Sequence, residues 1–147
     1  MGISPTLLRL AFYAASDGPR VMIFGPSAAD FGRLQQQFAW LAQSPKCECE
    51  LHEQPFVRSF GGVRITARNV GPMFTGASAM RPGIRRVEGA EAPCFEWCRT
   101  SEGWDYLAKL MDGLTRVDAG HQYLTNYPSE DAIVVVSKGE YDDDVLM

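Results

Sequence analysis

The chain has 147 residues, 46% apolar and 22% charged, with a net charge of −4 at neutral pH. That length carries one domain with a real core, and no apolar run approaches the ~20 residues of a membrane-spanning helix. Four cysteines are too few for a disulfide scaffold in a chain this long and are expected as reduced thiols in the cytoplasm.

The opening LLRLAFYAA alternates, with Leu8, Leu10 and Phe12 on one face and Arg9, Ala11 and Tyr13 on the other. That is the period of a half-buried strand, and Arg9 interrupts the stretch against a signal-peptide reading. Gly18 and Pro19 make a turn into RVMIFG, so a hairpin is predicted. The period then changes. Ser27 is a helix N-cap with Asp30 at capping-box spacing, and Phe31, Leu34, Phe38 and Leu41 form an apolar stripe that Ser44 and Pro45 end.

KCECELHEQ returns to alternation, with Cys47, Cys49 and Leu51 facing one way and Glu48, Glu50 and His52 the other. VRITARN points Val63, Ile65 and Ala67 inward and Arg64, Thr66 and Arg68 outward. Glutamates and arginines on neighbouring strands can pair, each pair contributing ~0.2–1 kcal/mol. Residues 70–93 are rich in Gly, Pro and Ala and read as a loop or hairpin, with a short strand near residues 84–87. PCFEWCRT is a strand with Cys94, Glu96 and Cys98 opposite Phe95 and Trp97. A second helix follows, capped by Thr100 or Ser101, with Trp104, Leu107, Ala108, Met111 and Leu114 as its stripe and Gly120 as its terminator. His121, Gln122, Tyr123 and Leu124 then shape a turn before DAIVVVSK, a continuous apolar run expected to be buried on both faces until Gly139 ends it. The order β-β-α-β-β-(β)-β-α-β over residues 1–147 predicts a single α+β domain, mainly antiparallel sheet with two helices packed on it. An acidic tail closes the chain at 142–147, and no internal repeat is evident.

Charge is polarised. Residues 54–86 hold six arginines and no acid, whereas residues 129–147 hold six acids against Lys138. Outside that last segment 13 basic residues face 12 acidic ones, so the whole negative excess lies near the C-terminus. Internal pairing or a charged partner surface follows from such a division. Tyr123 and Tyr141 are residue types that interfaces favour, beside Glu140, Asp142, Asp143 and Asp144 as a candidate contact set; Arg64 and Arg68 are the basic alternative. A second copy of the chain is one possible partner.

Catalytic chemistry finds little support. The cysteines come as C-x-C and C-x-x-x-C on strands, without the tight turn that zinc knuckles use, so small core residues are the plainer reading. No nucleophile elbow, phosphate loop or dinucleotide fingerprint is present. No catalytic residue, metal or cofactor is therefore predicted. Two alternatives stay open: a ligand-binding domain or enzyme using His121, Tyr123 and Glu140, and an RNA-binding module using Arg58, Arg64 and Arg68 with Phe56 and Phe60 to stack on bases. The acidic balance speaks against nucleic acid.

SEGWDYLAKLMDGL, then GHQYL, then AIVVVSKGEY resembles the closing half of small bacterial immunity proteins of polymorphic toxin systems. Those pair a Trp-bearing helix with a His-Gln-Tyr-Leu turn and a Val-rich strand. The matching positions are Trp104, the run His121, Gln122, Tyr123 and Leu124, and the stretch from Ser137 through Gly139 to Tyr141. The likeness covers the last third only, and neither the Gly/Pro-rich stretch nor Asp142 to Asp144 belongs to its pattern. It implies a cytoplasmic protein that binds and neutralises a cognate toxin without catalysis.

Overall fold

The computed structural model describes residues 7–71 and 82–141. The centre of the Gly/Pro-rich stretch and the acidic tail, including Asp142, Asp143 and Asp144, lie outside them. The described residues form two α-helices and nine strands. Strands β1 (Leu8–Ala15) and β2 (Gly18–Gly25) make the expected hairpin, and α1 (Ala28–Ala42) follows. Then come β3 (Glu48–Glu50), a 3-10 turn (Leu51–Glu53), β4 (Val57–Ser59), β5 (Arg64–Asn69), β6 (Gly83–Arg86) and β7 (Cys94–Arg99). Helix α2 (Ser101–Thr115), β8 (Gly120–Tyr123) and β9 (Ile133–Lys138) complete the fold. The class is α+β. The strands divide between two mixed sheets rather than one: a five-stranded sheet ordered β4-β1-β2-β9-β8 and a four-stranded sheet ordered β3-β5-β7-β6.

Each predicted helix starts where its cap stands. The Ser27 hydroxyl accepts from Ala29 N–H, and the Thr100 hydroxyl accepts from Gly103 N–H, each satisfying one orphan donor of the first turn. Asp30 pairs with Arg33 at 3.9 Å. The predicted stripes are the buried faces: Phe31, Leu34, Phe38 and Leu41 on α1, and Trp104, Leu107, Ala108, Met111 and Leu114 on α2. They share one core with the inward residues of both sheets. At its centre Phe38, Trp97 and Trp104 meet with ring centroids 5.2–5.9 Å apart, and the Trp104 indole donates to the Arg68 carbonyl at 2.8 Å. That satisfies the polar handle of a fully buried aromatic.

The sheets expose an internal repeat that composition does not. Each half of the chain runs hairpin, helix, two more strands: β1-β2-α1-β3-β5, then β6-β7-α2-β8-β9. In each half the hairpin stays in one sheet and the last two strands cross to the other. The result is β1-β2-β9-β8 in one sheet and β6-β7-β5-β3 in the other, both paired antiparallel, parallel, antiparallel. Registers agree as well: Val21 and Ile23 face Val134 and Val136 just as Phe95 and Trp97 face Ile65 and Ala67. Among the described residues β4 is the strand without a counterpart, added parallel to β1. The exchange makes each sheet depend on both halves.

Three local expectations are corrected. His52 is not on a strand face: β3 stops at Glu50, and His52 lies in the 3-10 turn with Nδ1 accepting from Ile65 N–H at 3.0 Å. Its ring replaces the carbonyl with which a longer β3 would have continued the ladder. Helix α2 ends at Thr115, so Gly120 does not terminate it but opens β8. His121, Gln122 and Tyr123 are therefore not a turn. They form an edge strand on β9, with His121 opposite Ser137 and Tyr123 opposite Val135. Leu124 follows it, buried, donating its N–H to the Val134 carbonyl at 2.8 Å.

Candidate functional site

Alternation on β1, β2, β9 and β8 turns one set of side chains away from the shared core. Met22, Phe24 and Val135 form a second, separate apolar cluster on that outer face of the five-stranded sheet. By register, one row across the face runs Arg58, Arg9, Phe24, Ser137, His121; the next runs Ala11, Met22, Val135, Tyr123; a third holds Tyr13 and Arg20. The centre is apolar and the border carries tyrosines and arginines. Tyr13, Tyr123 and Tyr141 are 38%, 48% and 45% exposed.

Ring and guanidinium contacts hold that border in place. Tyr141 meets the edge of Phe24 at 6.3 Å between centroids, and His121 meets Tyr123 at 5.6 Å. The Arg20 guanidinium lies 5.9 Å from the Tyr123 ring centroid and bonds Asp17 at 2.6 Å, while Arg58 lies over Phe60 at 5.0 Å. Such cation–π contacts contribute ~0.5–1 kcal/mol at exposed sites.

At the β8–β9 end, Ser137 donates to Glu140 at 2.5 Å, and Glu140 meets His121 Nδ1 at 3.1 Å. The Ser137 hydroxyl, aided by the imidazole, holds the Glu140 carboxyl below the ordinary carboxylate range. In a hydrolytic triad the imidazole stands between hydroxyl and carboxylate. Here the carboxylate stands between the other two, so the hydroxyl proton is directed at Glu140 and not at a ring nitrogen. The hollow beside these groups, reached by Tyr123, Arg20 and Tyr141, measures about 60 Å³. Substrate pockets usually measure ~300–1,000 Å³.

Sequence had pointed to Tyr123, Glu140, Tyr141, His121 and Ser137, and the structure brings all five together. It does not join them to Arg64 and Arg68, which stand on β5 of the other sheet. Arg68 is paired there: the 3.6 Å pair with Glu48 is the cross-strand pairing the alternation suggested, and the 3.0 Å pair with Glu96 of β7 is an addition to it. Arg58 belongs to the five-stranded sheet, so the three arginines of the RNA reading are divided between sheets. Phe56 is buried in the core and offers no stacking surface. Trp104 is core, and Gly139 donates its N–H to the Gly25 carbonyl at the end of β9. Sequence reasoning missed Arg9, Arg20, Tyr13, Met22 and Phe24 as members of one face. The signal was the outward half of the β1 and β2 alternation, and only the position of β9 beside β2 makes it a surface.

Among the described residues one group has the spacing of a metal site: Glu50, His52 and Glu53, with ligand atoms within 4.8 Å of one another. The hydrogen bond from Ile65 N–H fixes His52 Nδ1 as an acceptor, which places the neutral ring's proton on Nε2 and removes the lone pair a metal needs. A hydrogen bond that protonated Glu50 donates to Glu53, with the like charge of Glu53, raises the Glu50 carboxyl. The four cysteines are free thiols, and burial pushes Cys49 up to about 11 and raises Cys98 as well. Such thiols behave as small apolar residues. No described helix is long and apolar enough to cross a membrane.

No family model matches the chain, and no curated protein or solved structure matches it either.

Proposed function

We propose that this chain is a non-catalytic binding protein that neutralises a cognate protein toxin in the cytoplasm, using the outer face of the five-stranded sheet. One observation carries the reading: an apolar centre of Met22, Phe24 and Val135, ringed by exposed Tyr13, Tyr123 and Tyr141 and by Arg9, Arg20 and Arg58. Tyr, Arg and Met are the residue types enriched at protein interfaces, and a wet rim around a packed centre is the usual anatomy. The immunity role comes from the likeness of the closing third, whose His121, Tyr123, Ser137, Glu140 and Tyr141 all belong to this face or its edge.

The rim selects the partner's chemistry. Arg20 and Arg58 stand on this rim, each against an aromatic ring, while Asp17 pairs with Arg20 and Glu140 is taken up by Ser137 and His121. A toxin surface with carboxylates around an apolar projection complements it.

The test is co-expression with the product of the adjacent reading frame, then size-exclusion chromatography and calorimetry. A one-to-one complex is expected, weakened by about 2 kcal/mol or more in Tyr123→Ala and in Arg20→Glu, the size of an interface hot spot. A complex indifferent to both variants, or the absence of a toxin-like neighbour, defeats the proposal.

A further inference from the structure

The second half of the chain holds a different kind of site. Between the start of α2 and the segment after β8 lies a cleft of about 380 Å³, within the ~300–1,000 Å³ of small-ligand pockets. Two guanidiniums line it, Arg85 and Arg99, together with the Thr100 and Ser129 side chains.

Arg99 is the last residue of β7. Its Nη1 donates to the Leu124 carbonyl at 3.5 Å, and its Nε is buried with no hydrogen-bond partner among the described residues. A guanidinium offers five donors, and leaving buried donors unmet is costly. Burial pulls Arg99 below its ordinary value, with the Glu130 charge acting against that pull. Two glycines make room for the cations. A Cβ on Gly103 would come within 3.0 Å of Arg99 Nε; one on Gly83, where φ is +124°, would come within 2.9 Å of Arg85 Nη1.

The acid beside them is otherwise engaged. Glu130 is only 8% exposed, and its two oxygens accept backbone N–H bonds from Ile84 at 2.9 Å and Asn126 at 2.5 Å. Two arginines against that one carboxylate leave the lining net positive. The first turn of α2, a 15-residue helix, adds the positive end of its dipole.

We infer that this cleft binds a small molecule bearing an oxyanion, a phosphate monoester or a carboxylate, clamped by Arg85 and Arg99. Planar guanidiniums recognise both groups through paired N–H bonds. This site is independent of the toxin-binding face, so either can fail without the other.

Calorimetric titration of the full chain with inorganic phosphate, and separately with acetate, at constant ionic strength tests it. Saturable binding of at least one anion is expected, weakened about tenfold or more in Arg85→Gln and Arg99→Gln, as loss of a charge-assisted bond requires. Arg116→Gln, at the other end of α2, leaves binding unchanged. Response to phosphate alone identifies a phosphate ester, and response to acetate alone a carboxylate. If Arg99→Gln does not fold, Arg85→Gln and the Arg99 Nε resonance of the wild type decide: a titration that moves that resonance supports the site. No saturable binding, binding unaffected by Arg85→Gln, or an unmoved Arg99 resonance overturns it.

Discussion

Asn69 and Lys138 hold equivalent posts in the two halves of the chain. Each is the buried last residue of its strand, and each reaches the C-terminal carbonyls of its own half's helix: Asn69 Nδ2 donates to Leu41 O at 2.6 Å, and Lys138 Nζ donates to Thr115 O at 3.3 Å and to Val117 O. Helix ends leave orphan carbonyls, and a cation at a C-terminus also meets the negative pole of the dipole. Asn69 does more, donating to Ser101 Oγ at 2.9 Å and accepting from Gly71 N–H at 2.7 Å, so it ties the end of α1 to the start of α2.

Replacing either residue removes side-chain hydrogen bonds to the carbonyls at or just past a helix end; the Leu41 carbonyl keeps the Ser44 N–H at 3.2 Å. Asn69→Ala and Lys138→Met are each expected to lower stability by about 1–3 kcal/mol, read as a shift in urea midpoint with an unchanged slope. A change within about 0.5 kcal/mol, the range of ordinary surface substitutions, would show that water serves these carbonyls equally well.

The helices, their caps and strands β1, β2, β5, β7 and β9 were legible because periodicity reports which face is buried. Beyond the β1–β2 hairpin and the β3–β5 pair, the pairing of strands was not, because it depends on distant segments. Val21 and Phe95 share a post, as do Ile23 and Trp97, yet these pairs differ in size and type, so the equivalent strands do not match in residue identity at these posts. β3 is shorter than its alternation predicts because nothing in KCECELHEQ announces that the His52 ring will take a ladder N–H. β8 has the sequence of a turn, because three polar or amphipathic residues after a helix look like one. Only its pairing with Val135, Val136 and Ser137 makes it a strand. The candidate face shares this fate: Tyr123, Glu140 and Tyr141 lie close together in sequence, whereas Arg9, Arg20 and Arg58 join them through β2 and β9.

The outer side of the four-stranded sheet should behave as a solvated ionic network. Arg68 bridges Glu48 and Glu96, but those glutamate side chains are 56% and 46% exposed. Arg68→Ala is therefore expected to cost about 0.2–1 kcal/mol, shrinking as salt rises. Denaturation curves of wild type and variant at low and high salt measure it; a large, salt-independent loss would mean that the stem of Arg68 packs, and its charge contributes little.

Thiol reactivity offers a second check on the fold. With Cys49 pushed up to about 11 by burial and Cys98 raised for the same reason, both hold little thiolate at pH 8. Alkylation at that pH should label them far more slowly in the native protein than in urea, because the thiolate is the nucleophile. Mass mapping after a short pulse reads this directly. Fast native labelling of Cys49 would contradict the packing of β3 against the core.

Glu140 makes part of the stability depend on pH, and the sign follows from the direction of its shift. The Ser137 hydroxyl and the His121 ring hold its folded-state value below that of the unfolded chain. Its contribution is therefore complete above the ordinary glutamate range near ~4.3. It is lost as pH falls through the lower folded value, since the unfolded state takes up the proton first. Wild type should lose more stability than Glu140→Gln between neutral pH and pH ~3. Above pH ~6 both curves should run parallel with respect to this group, the variant lying lower by the lost charge-assisted bonds. Urea titrations at a series of pH values separate the two cases. Equal acid sensitivity in both proteins would show that Ser137 and His121 contact Glu140 without stabilising its charge. The rim of the proposed docking face would then lack the fixed carboxylate that orients His121 against Tyr123.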